Sequence, residues 1–457
     1  MPAPRPRVSA LALAVGLVLA DSSVVVLALP EIYRDLDTSV AGVTWVLVSF
    51  NLVMALAAVP AALLARRVGP GRAAAVGLAI FAGAGLACGL ADNLTTLILA
   101  RCVQALGGAA AVTAALELLP ATVGSERRAT AVWASAGATG AALGPAVGGI
   151  LTELVSWQSI FLLQVPVALA AAVPILAVAK HEAATGIVEP ELRRTGRPHL
   201  AANLALAMVS AAIAAALFLL VLLLIEGWRL SPIGAAIVVT AMPLAALLGS
   251  RLGPHVPSAR ARAAAGAILV SGGLGGLALL PRAEVALTLP PQLLIGVGLS
   301  LVLSALTETA LGGRAPQAIH GGWTISARHA GVVIGLLALT PIFTHDIAQQ
   351  REDAIEAGTA VILDSRVEPL IKIDLAQKIA ERLEGEKGKV PTLGPAFEPL
   401  PSDPHARAQV EQLRGELQDQ LDRGATHAFS PSFELAALLG LLALIPIGLS
   451  RRRGVEL

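Results

Sequence analysis

The sequence predicts an all-α integral membrane protein: twelve transmembrane helices in two six-helix, pseudo-symmetric halves, with a small helical extracytoplasmic insert between the last two helices. Three observations carry this expectation. The 457 residues are 55% hydrophobic and only 14% charged, with a mean hydropathy of +0.74, more apolar than a water-soluble protein of this length needs. Apolar stretches of about 20 residues recur, each long enough to cross a ~30 Å hydrocarbon core as a helix. The basic residues, moreover, crowd into alternate inter-span segments.

In order, the spans are expected at 8–30, 40–65, 73–92, 95–119, 128–152, 158–179, 201–225, 232–250, 262–281, 286–311, 318–343 and 430–450. The runs are continuous and rich in Ala, Leu and Gly, without the strict alternation of a barrel strand. The first run also resembles a secretory signal, with Arg5 and Arg7 before an apolar core and Val18-Leu19-Ala20 before Asp21. It continues to Pro30, however, and removing it would leave eleven spans and invert the C-terminus, so it reads as the first helix. The polar stretch 181–200, containing EPELRRTGRPH, divides the spans six and six. The expected units are an N-terminal bundle (1–180), that linker (181–200), five helices of a second bundle (201–343), the insert (344–429), and the last helix with its tail (430–457).

With the N-terminus in the cytoplasm, the inward segments carry Arg66, Arg67, Arg72, Arg127, Arg128, Arg193, Arg194, Arg251, Arg260, Arg262 and Arg314, among others. The short outward loops carry only Arg34, Arg229 and Arg282. Shifting the register by one helix would invert that bias. The expected location is a bacterial cytoplasmic membrane with both termini cytoplasmic; the Ala- and Arg-rich composition points to a high-GC bacterium. Trp133, Trp157, Trp228 and Trp323 fall near span ends, where an interfacial belt accounts for them. Cys88 and Cys102 lie within spans and read as small packing residues.

The insert is not low-complexity. Ile371, Leu375, Ile379 and Leu383 recur every four residues, as Val410, Leu413, Leu417 and Leu421 do at three- and four-residue steps. Two or three amphipathic helices forming an outer cap are expected. A hairpin that only packs on the outer mouth, and a lid or adaptor for substrate or a partner, both fit.

No phosphate-cradling Walker A run, no metal-spaced cluster of His, Cys or carboxylates, and no GxSxG nucleophile motif occurs in the sequence. ATP-driven transport, a metal, a cofactor and enzymatic activity are therefore not expected. A net charge of +1 gives no reason to expect a nucleic-acid partner, and a monomer in the bilayer is the simplest expectation.

Charges within the spans are the candidate functional residues, because an ionisable group in hydrocarbon costs about 2.5–3.5 kcal/mol on insertion scales. Asp21 stands in LADSSVVVLALP beside Ser22, and Arg101 and Gln104 in ARCVQALGG. Glu117 lies about four turns further along that helix. Glu308 lies in SALTETALGG and Arg328 in SARHAGVVIG, on adjacent helices. A buried Glu308–Arg328 pair, as structural lock or second titrating site, is the expectation there. Between Gly140 and Gly149 the chain reads GAALGPAVGG inside an apolar helix. Gly140, Gly144, Gly148 and Gly149 clear one face for close helix approach, and Pro145 bends the helix.

A small-residue seam accounts for GxxxG alone, but the full run resembles GxxxGPxxGG (motif C), on the fifth helix of drug:proton antiporters in the major facilitator superfamily. The Asp21 stretch is similar to their first-helix motif LDxTxVNVALP, with Ser23 and Leu27 departing. ARCVQALGG is similar to motif B, RxxQGxGxA, with Ala105 replacing a glycine, and SARHAGVVIG to their ARQLGGALG run. The resemblance implies a proton-coupling role for Asp21 with Arg101 as its partner; Glu308 and Arg328 are further candidates for that role, and Ser22, Gln104 and Glu117, the last nearer the cytoplasmic end and read as interfacial, are candidates along a substrate pathway. Asp21 as a mere packing hydrogen-bonder remains the alternative. AALLARRVGPGR stands where motif A, GxLaDrxGrrr, belongs; Gly69 and Arg72 remain, but Ala62 replaces the glycine and Arg66 the acid, so the inner gate must be fastened differently or the state preference is shifted. Motif C is associated with exporters. The leading expectation is a proton-coupled exporter of apolar or amphipathic small molecules. The alternatives are an exporter of lipid or lipid-linked molecules using the cap, favoured by only 3% aromatic residues, and a non-transporting scaffold binding a partner through 344–429.

Overall fold

The computed structural model describes residues 4–185, 196–256, 258–312, 314, 316–364 and 403–450, with the isolated positions 372, 375, 377, 378 and 397. Twelve helices in it are long and apolar enough to cross a membrane, as the hydropathy pattern predicts.

The first half comprises α1 (Pro4–Val26), the short α2 (Leu29–Asp35), α3 (Val40–Val68), α4 (Pro70–Gly89), α5 (Leu94–Val123), α6 (Glu126–Leu154) and α7 (Gln158–Thr185). Local chemistry sets the boundaries. Ser39, Asn93 and Ser125 cap α3, α5 and α6 by accepting the backbone N–H three residues on. Gly69 (φ 98°) turns α3 directly into α4, and Gly124 (φ 73°) closes α5 in the left-handed conformation. The first span was expected to run to Pro30; α1 instead stops at Val26, and Pro30 sits in the first turn of the short helix α2.

The second half comprises α8 (Leu200–Leu222), widened into a π-turn at Leu223–Gly227, then α9 (Pro232–Val239), α10 (Ala241–Leu252), α11 (Ala259–Ala278), α12 (Val285–Leu311) and α13 (Gln317–Asp364), and finally α14 (Pro404–Ala428), α15 (Ser430–Leu442) and α16 (Leu444–Leu449). The eighth and twelfth spans are each broken in two. Pro243 and Pro446 cannot donate to the carbonyls of Val239 and Leu442, four residues back, which is where α9 and α15 end.

The two halves pack by the same rule. In the first, α1 lies on α6, α4 on α5 and α7, and α3 on α5; in the second, α8 lies on α13, α11 on α12 and α15, and α10 on α12. The seam between halves is itself paired: α3 meets α13, and α6 meets α9. Glycine sets the closest approaches. A Cβ on Gly77 or Gly107 would strike the other's backbone carbonyl between α4 and α5, and Gly266 and Gly298 repeat this between α11 and α12.

The insert begins without a break: α13 continues 22 residues past the end of its apolar span at Ile342. α14 packs against α13 and returns to the C-terminal end of α8, where Trp228 Nε1 donates to Thr426 Oγ1 (3.0 Å) and Arg229 donates to Gln418. Val410, Leu413 and Leu417 are buried on α14, and Leu375 is buried as well. Ile371, Ile379 and Leu383 lie outside the described residues. The interfacial reading of the tryptophans is corrected at two positions. Trp133 is a buried core residue whose Nε1 donates to the Val112 carbonyl (3.1 Å), and buried Trp157 donates to Asp35 (2.8 Å).

Candidate functional site

α1, α3, α5 and α7 converge on one buried polar cluster. Asp21 of α1 and Arg101 of α5 form an ion pair, and neither side chain has any exposed surface. Arg101 Nη1 also donates to Gln104 Oε1 (2.7 Å), one turn along α5, and Arg101 Nε donates to the Val46 carbonyl of α3 (3.3 Å). The guanidinium stacks 4.1 Å from the centre of the Phe50 ring, with Phe161 of α7 at 5.6 Å. Gln104 Nε2 donates onward to Gln164 Oε1 (2.8 Å), and the Cys88 thiol reaches Gln104 Oε1 (3.8 Å). This is how a permanent cation is housed in hydrocarbon: a carboxylate, two neutral acceptors and two aromatic faces surround it. Three buried atoms of the cluster have no hydrogen-bond partner: Asp21 Oδ1, Arg101 Nη2 and Gln164 Nε2. Each buried polar atom left unpaired is costly.

The cluster reaches across the seam. Ser22 Oγ donates to Asn51 Oδ1 of α3 (3.5 Å), and the same oxygen faces His329 Nδ1 of α13 at 2.6 Å. The His329 ring also meets Phe50 edge-on, with centroids 6.5 Å apart. Asn51, Gln164, Phe50, Phe161 and His329 thus join the residues expected from sequence. Asn51 in VSFNLVM and Gln164 in FLLQVPV were visible as single amides in otherwise apolar runs.

The expected Glu308–Arg328 pair does not form. Glu308, at the end of α12, pairs instead with Arg262 at the start of the antiparallel neighbour α11, and its side chain is 60% exposed. Arg328 is half-buried midway along the span formed by α13. Glu117, expected on the substrate pathway, lies about 24 Å along α5 from Arg101 at 1.5 Å per residue. Its carboxylate stands 3.9 Å from Arg66 and accepts the Ala318 backbone N–H in the first turn of α13. Nearby, Thr130 of α6 donates to Gln317 (3.4 Å), and Ala62, Ala318 and Ile319 form a small apolar cluster. The motif A region is therefore fastened with reversed charge: Arg66 is the cation, and Glu117 supplies the carboxylate that the α13 N-terminus favours. Arg72 lies in the first turn of α4 after the Gly69 turn. Glu117→Gln is expected to weaken this fastening by about 0.2–1 kcal/mol, the range for a partly exposed pair. Spin labels at the end of α3 and the start of α13 should report up to a fivefold rise in the state open on the arginine-rich face; unchanged distances would contradict the assignment.

On the opposite face the halves also touch. Tyr33 and Arg34 of α2 both donate to Glu226 in the π-turn, and the Ile233 N–H donates to Glu153 (2.7 Å). Burial, and then the adjacent Glu226 carboxylate, push the Tyr33 hydroxyl above its ordinary range, so it stays a donor.

The glycine run of α6 faces two partners. Cβ atoms on Gly140 and Gly148 would overlap the carbonyls of Gly16 and Val24 in α1, and one on Gly144 would overlap Ser23. Gly149 lies instead against Pro232 and Ala236 of α9, across the seam, and Pro145 is buried beside it in the helix interior. The second half repeats the device: Gly331 and Gly335 of α13 press on the carbonyls of Ala207 and Ala211 in α8. The same chain separation relates Gly16 to Ala207 as relates Gly140 to Gly331.

Two bundles built on one plan, meeting along a paired seam beside a buried Asp–Arg cluster, fit the family profile of the Major Facilitator Superfamily, which the chain matches over residues 11–340. The chain belongs to the major facilitator superfamily. It is 36% identical over 253 residues to the methylenomycin A resistance protein of Streptomyces coelicolor, covering 53% of this chain and 50% of that one. It is 35% identical over 177 residues to the tetracenomycin C resistance and export protein of Streptomyces glaucescens, covering 38% and 33%. It is 34% identical over 168 residues to the drug efflux pump JefA of Mycobacterium tuberculosis, covering 36% and 33%. The chain thus spans half the length, or less, of these relatives. Two crystal structures of a bacterial homologue of the human lysosomal transporter Spinster share the fold. Its inward-facing unoccupied form has a TM-score of 0.58 at 17% identity, covering 100% of both chains. Its occupied form has a TM-score of 0.60 at 16% identity, covering 100% of this chain and 98% of that one.

Proposed function

We propose that this major facilitator protein is a proton-coupled exporter of apolar or amphipathic small molecules. It works by alternating access between its two halves, as a monomer in a bacterial cytoplasmic membrane, with the arginine-rich face cytoplasmic. The observation that carries this reading is the fully buried Asp21–Arg101 pair with an open oxygen and an open nitrogen. A buried pair adds little to stability compared with a well-packed apolar core, so its presence calls for a use. Protonating Asp21 would remove its charge and release Arg101 onto Gln104, the Val46 carbonyl and Phe50, which already hold it. Asn51, bonded to both Ser22 and His329, connects that event to α13 and hence to the other half. Coupling requires only that the two conformations differ in proton affinity. The resistance and export relatives, and the glycine run resembling motif C, support the outward direction and a drug-like substrate.

The test is substrate-induced proton release from acidified everted vesicles, read with a pH-sensitive dye, comparing wild type with Asp21→Asn at equal folded amounts. Wild type should respond to at least one amphipathic compound and Asp21→Asn to none. An equal response from both would remove Asp21 from the coupling step, and a silent wild type would remove proton-coupled export.

A further inference from the structure

Among the described residues, and leaving aside α14 and the part of α13 beyond Ile342, the carboxylates of the apolar spans are engaged or lie at span ends. Asp21 faces Arg101, Glu117 faces Arg66, Glu226 faces Arg34 and Tyr33, Glu308 faces Arg262, and Glu153 accepts the Ile233 N–H. Glu126 and Glu434 are exposed near the starts of α6 and α15. None is left to neutralise Arg328. This arginine is the twelfth residue of α13, about 16 Å from its start and so deep in the membrane. No hydrogen bond or ion pair joins it to another described residue.

The contacts of its neighbours fix where it lies. Thr324 bonds to Asn203 of α8 (3.4 Å) and Gly331 presses on Ala207, so their side of α13 faces α8. His329 and Ile325 face the first half. At 100° per residue, Arg328 falls about 40° from Thr324 and about 100° from His329, in the sector between those two surfaces. Because His329 touches Phe50, on which Arg101 stacks, Arg328 shares the depth of the Asp21–Arg101 cluster.

We propose that Arg328 is the counter-charge for the substrate, and that the protein takes amphipaths carrying a carboxylate or another singly anionic head group. A guanidinium cannot discharge by losing its proton, and its planar fork matches a carboxylate with two parallel hydrogen bonds. In a low-dielectric interior an unpaired cation attracts an anion strongly and repels a lipophilic cation. The proposal deepens the exporter reading and rests on it.

The test uses the full-length protein in phosphatidylcholine nanodiscs and three near-isosteric probes: 1-naphthaleneacetate, 1-naphthaleneacetamide and 1-naphthylmethylammonium. Wild type should bind the acetate most tightly. Arg328→Gln should raise the acetate Kd about 10- to 100-fold while leaving the amide unchanged, and Arg328→Lys should fall between. As Arg328 makes no hydrogen bond or ion pair to another described residue, Arg328→Gln should elute and melt like wild type. Equal binding of all three probes, no saturable acetate binding by folded wild type, or an equal loss for acetate and amide in Arg328→Gln would each overturn the proposal. Adding phosphatidylglycerol separates the sources of the anion: competition with the acetate identifies a lipid head group, and no competition identifies a soluble acid. Anion-selective binding without substrate-dependent proton flux would sink the exporter reading alone. Flux without anion preference would sink the role of Arg328 alone.

Discussion

Asp21→Asn should destabilise the folded protein by about 3–5 kcal/mol, the cost of breaking a buried pair by removing one partner. The double variant Asp21→Asn/Arg101→Gln should recover much of that loss. The reason is the completeness of burial: neither side chain has any exposed surface, so no water can replace the missing ion. Arg101→Gln should cost less than Asp21→Asn. The stranded Asp21 can take up a proton and become neutral, an escape closed to arginine. Arg101 left alone would keep Val46, Gln104 and two aromatic rings, but all are neutral. The check is reversible unfolding by denaturing detergent at fixed lipid content, read as a double-mutant cycle. Single variants within 1 kcal/mol of wild type would mean that the pair is hydrated in the membrane.

Gly140→Ala and Gly331→Ala should each cost about 1–3 kcal/mol, the usual range for overpacking, and their effects should add. One methyl group is enough, because the obstructing atoms are the backbone carbonyls of Gly16 and Ala207, and backbone has no rotamer to yield. Gly144→Ala should cost less, since the nearest obstruction, Ser23 Oγ, can rotate, although the Val24 backbone nitrogen stays 3.0 Å from the new methyl group. Gly83 meets nothing within 4 Å, so Gly83→Ala should be neutral or stabilising by about 0.4–1 kcal/mol through the unfolded chain. Additivity follows from the separation of the two seams, one in each half. Melting temperatures of the four variants check the ranking, and a Gly140→Ala as stable as Gly83→Ala would contradict the close α1–α6 approach.

Which parts of this were legible in the sequence follows from what each feature depends on. Span number and position depend on apolar length, which the bilayer fixes, and all twelve spans were found near their places. The pairing of helices within each half was not legible. Runs of Ala, Leu and Gly are apolar on every side, so no stripe says which neighbour a helix prefers. Asp21 and Arg101 stood out because charge is rare in hydrocarbon. The Glu308–Arg328 pairing fails on depth: Glu308 lies one turn from the end of α12, where Arg262 opens antiparallel α11, while Arg328 lies about 16 Å into α13. The run after Ile342, HDIAQQREDAIEAGTAV, contains no proline and mostly good helix formers. It carries α13 onward where loss of hydropathy had suggested an end.

That unbroken α13 gives the protein a lever arm. The helix meets α3 at the seam, and its 22 residues beyond Ile342 extend about 33 Å outward at 1.5 Å per residue. α14 ties the same arm to α8 through Trp228 and Thr426, so the arm travels with the second half. A rocking of ~10° about the seam sweeps its tip by about 6 Å at that length. If the protein is the exporter proposed above, motion deep in the bilayer would be displayed, magnified, at the far end of the arm, where an attached probe would follow each transport cycle.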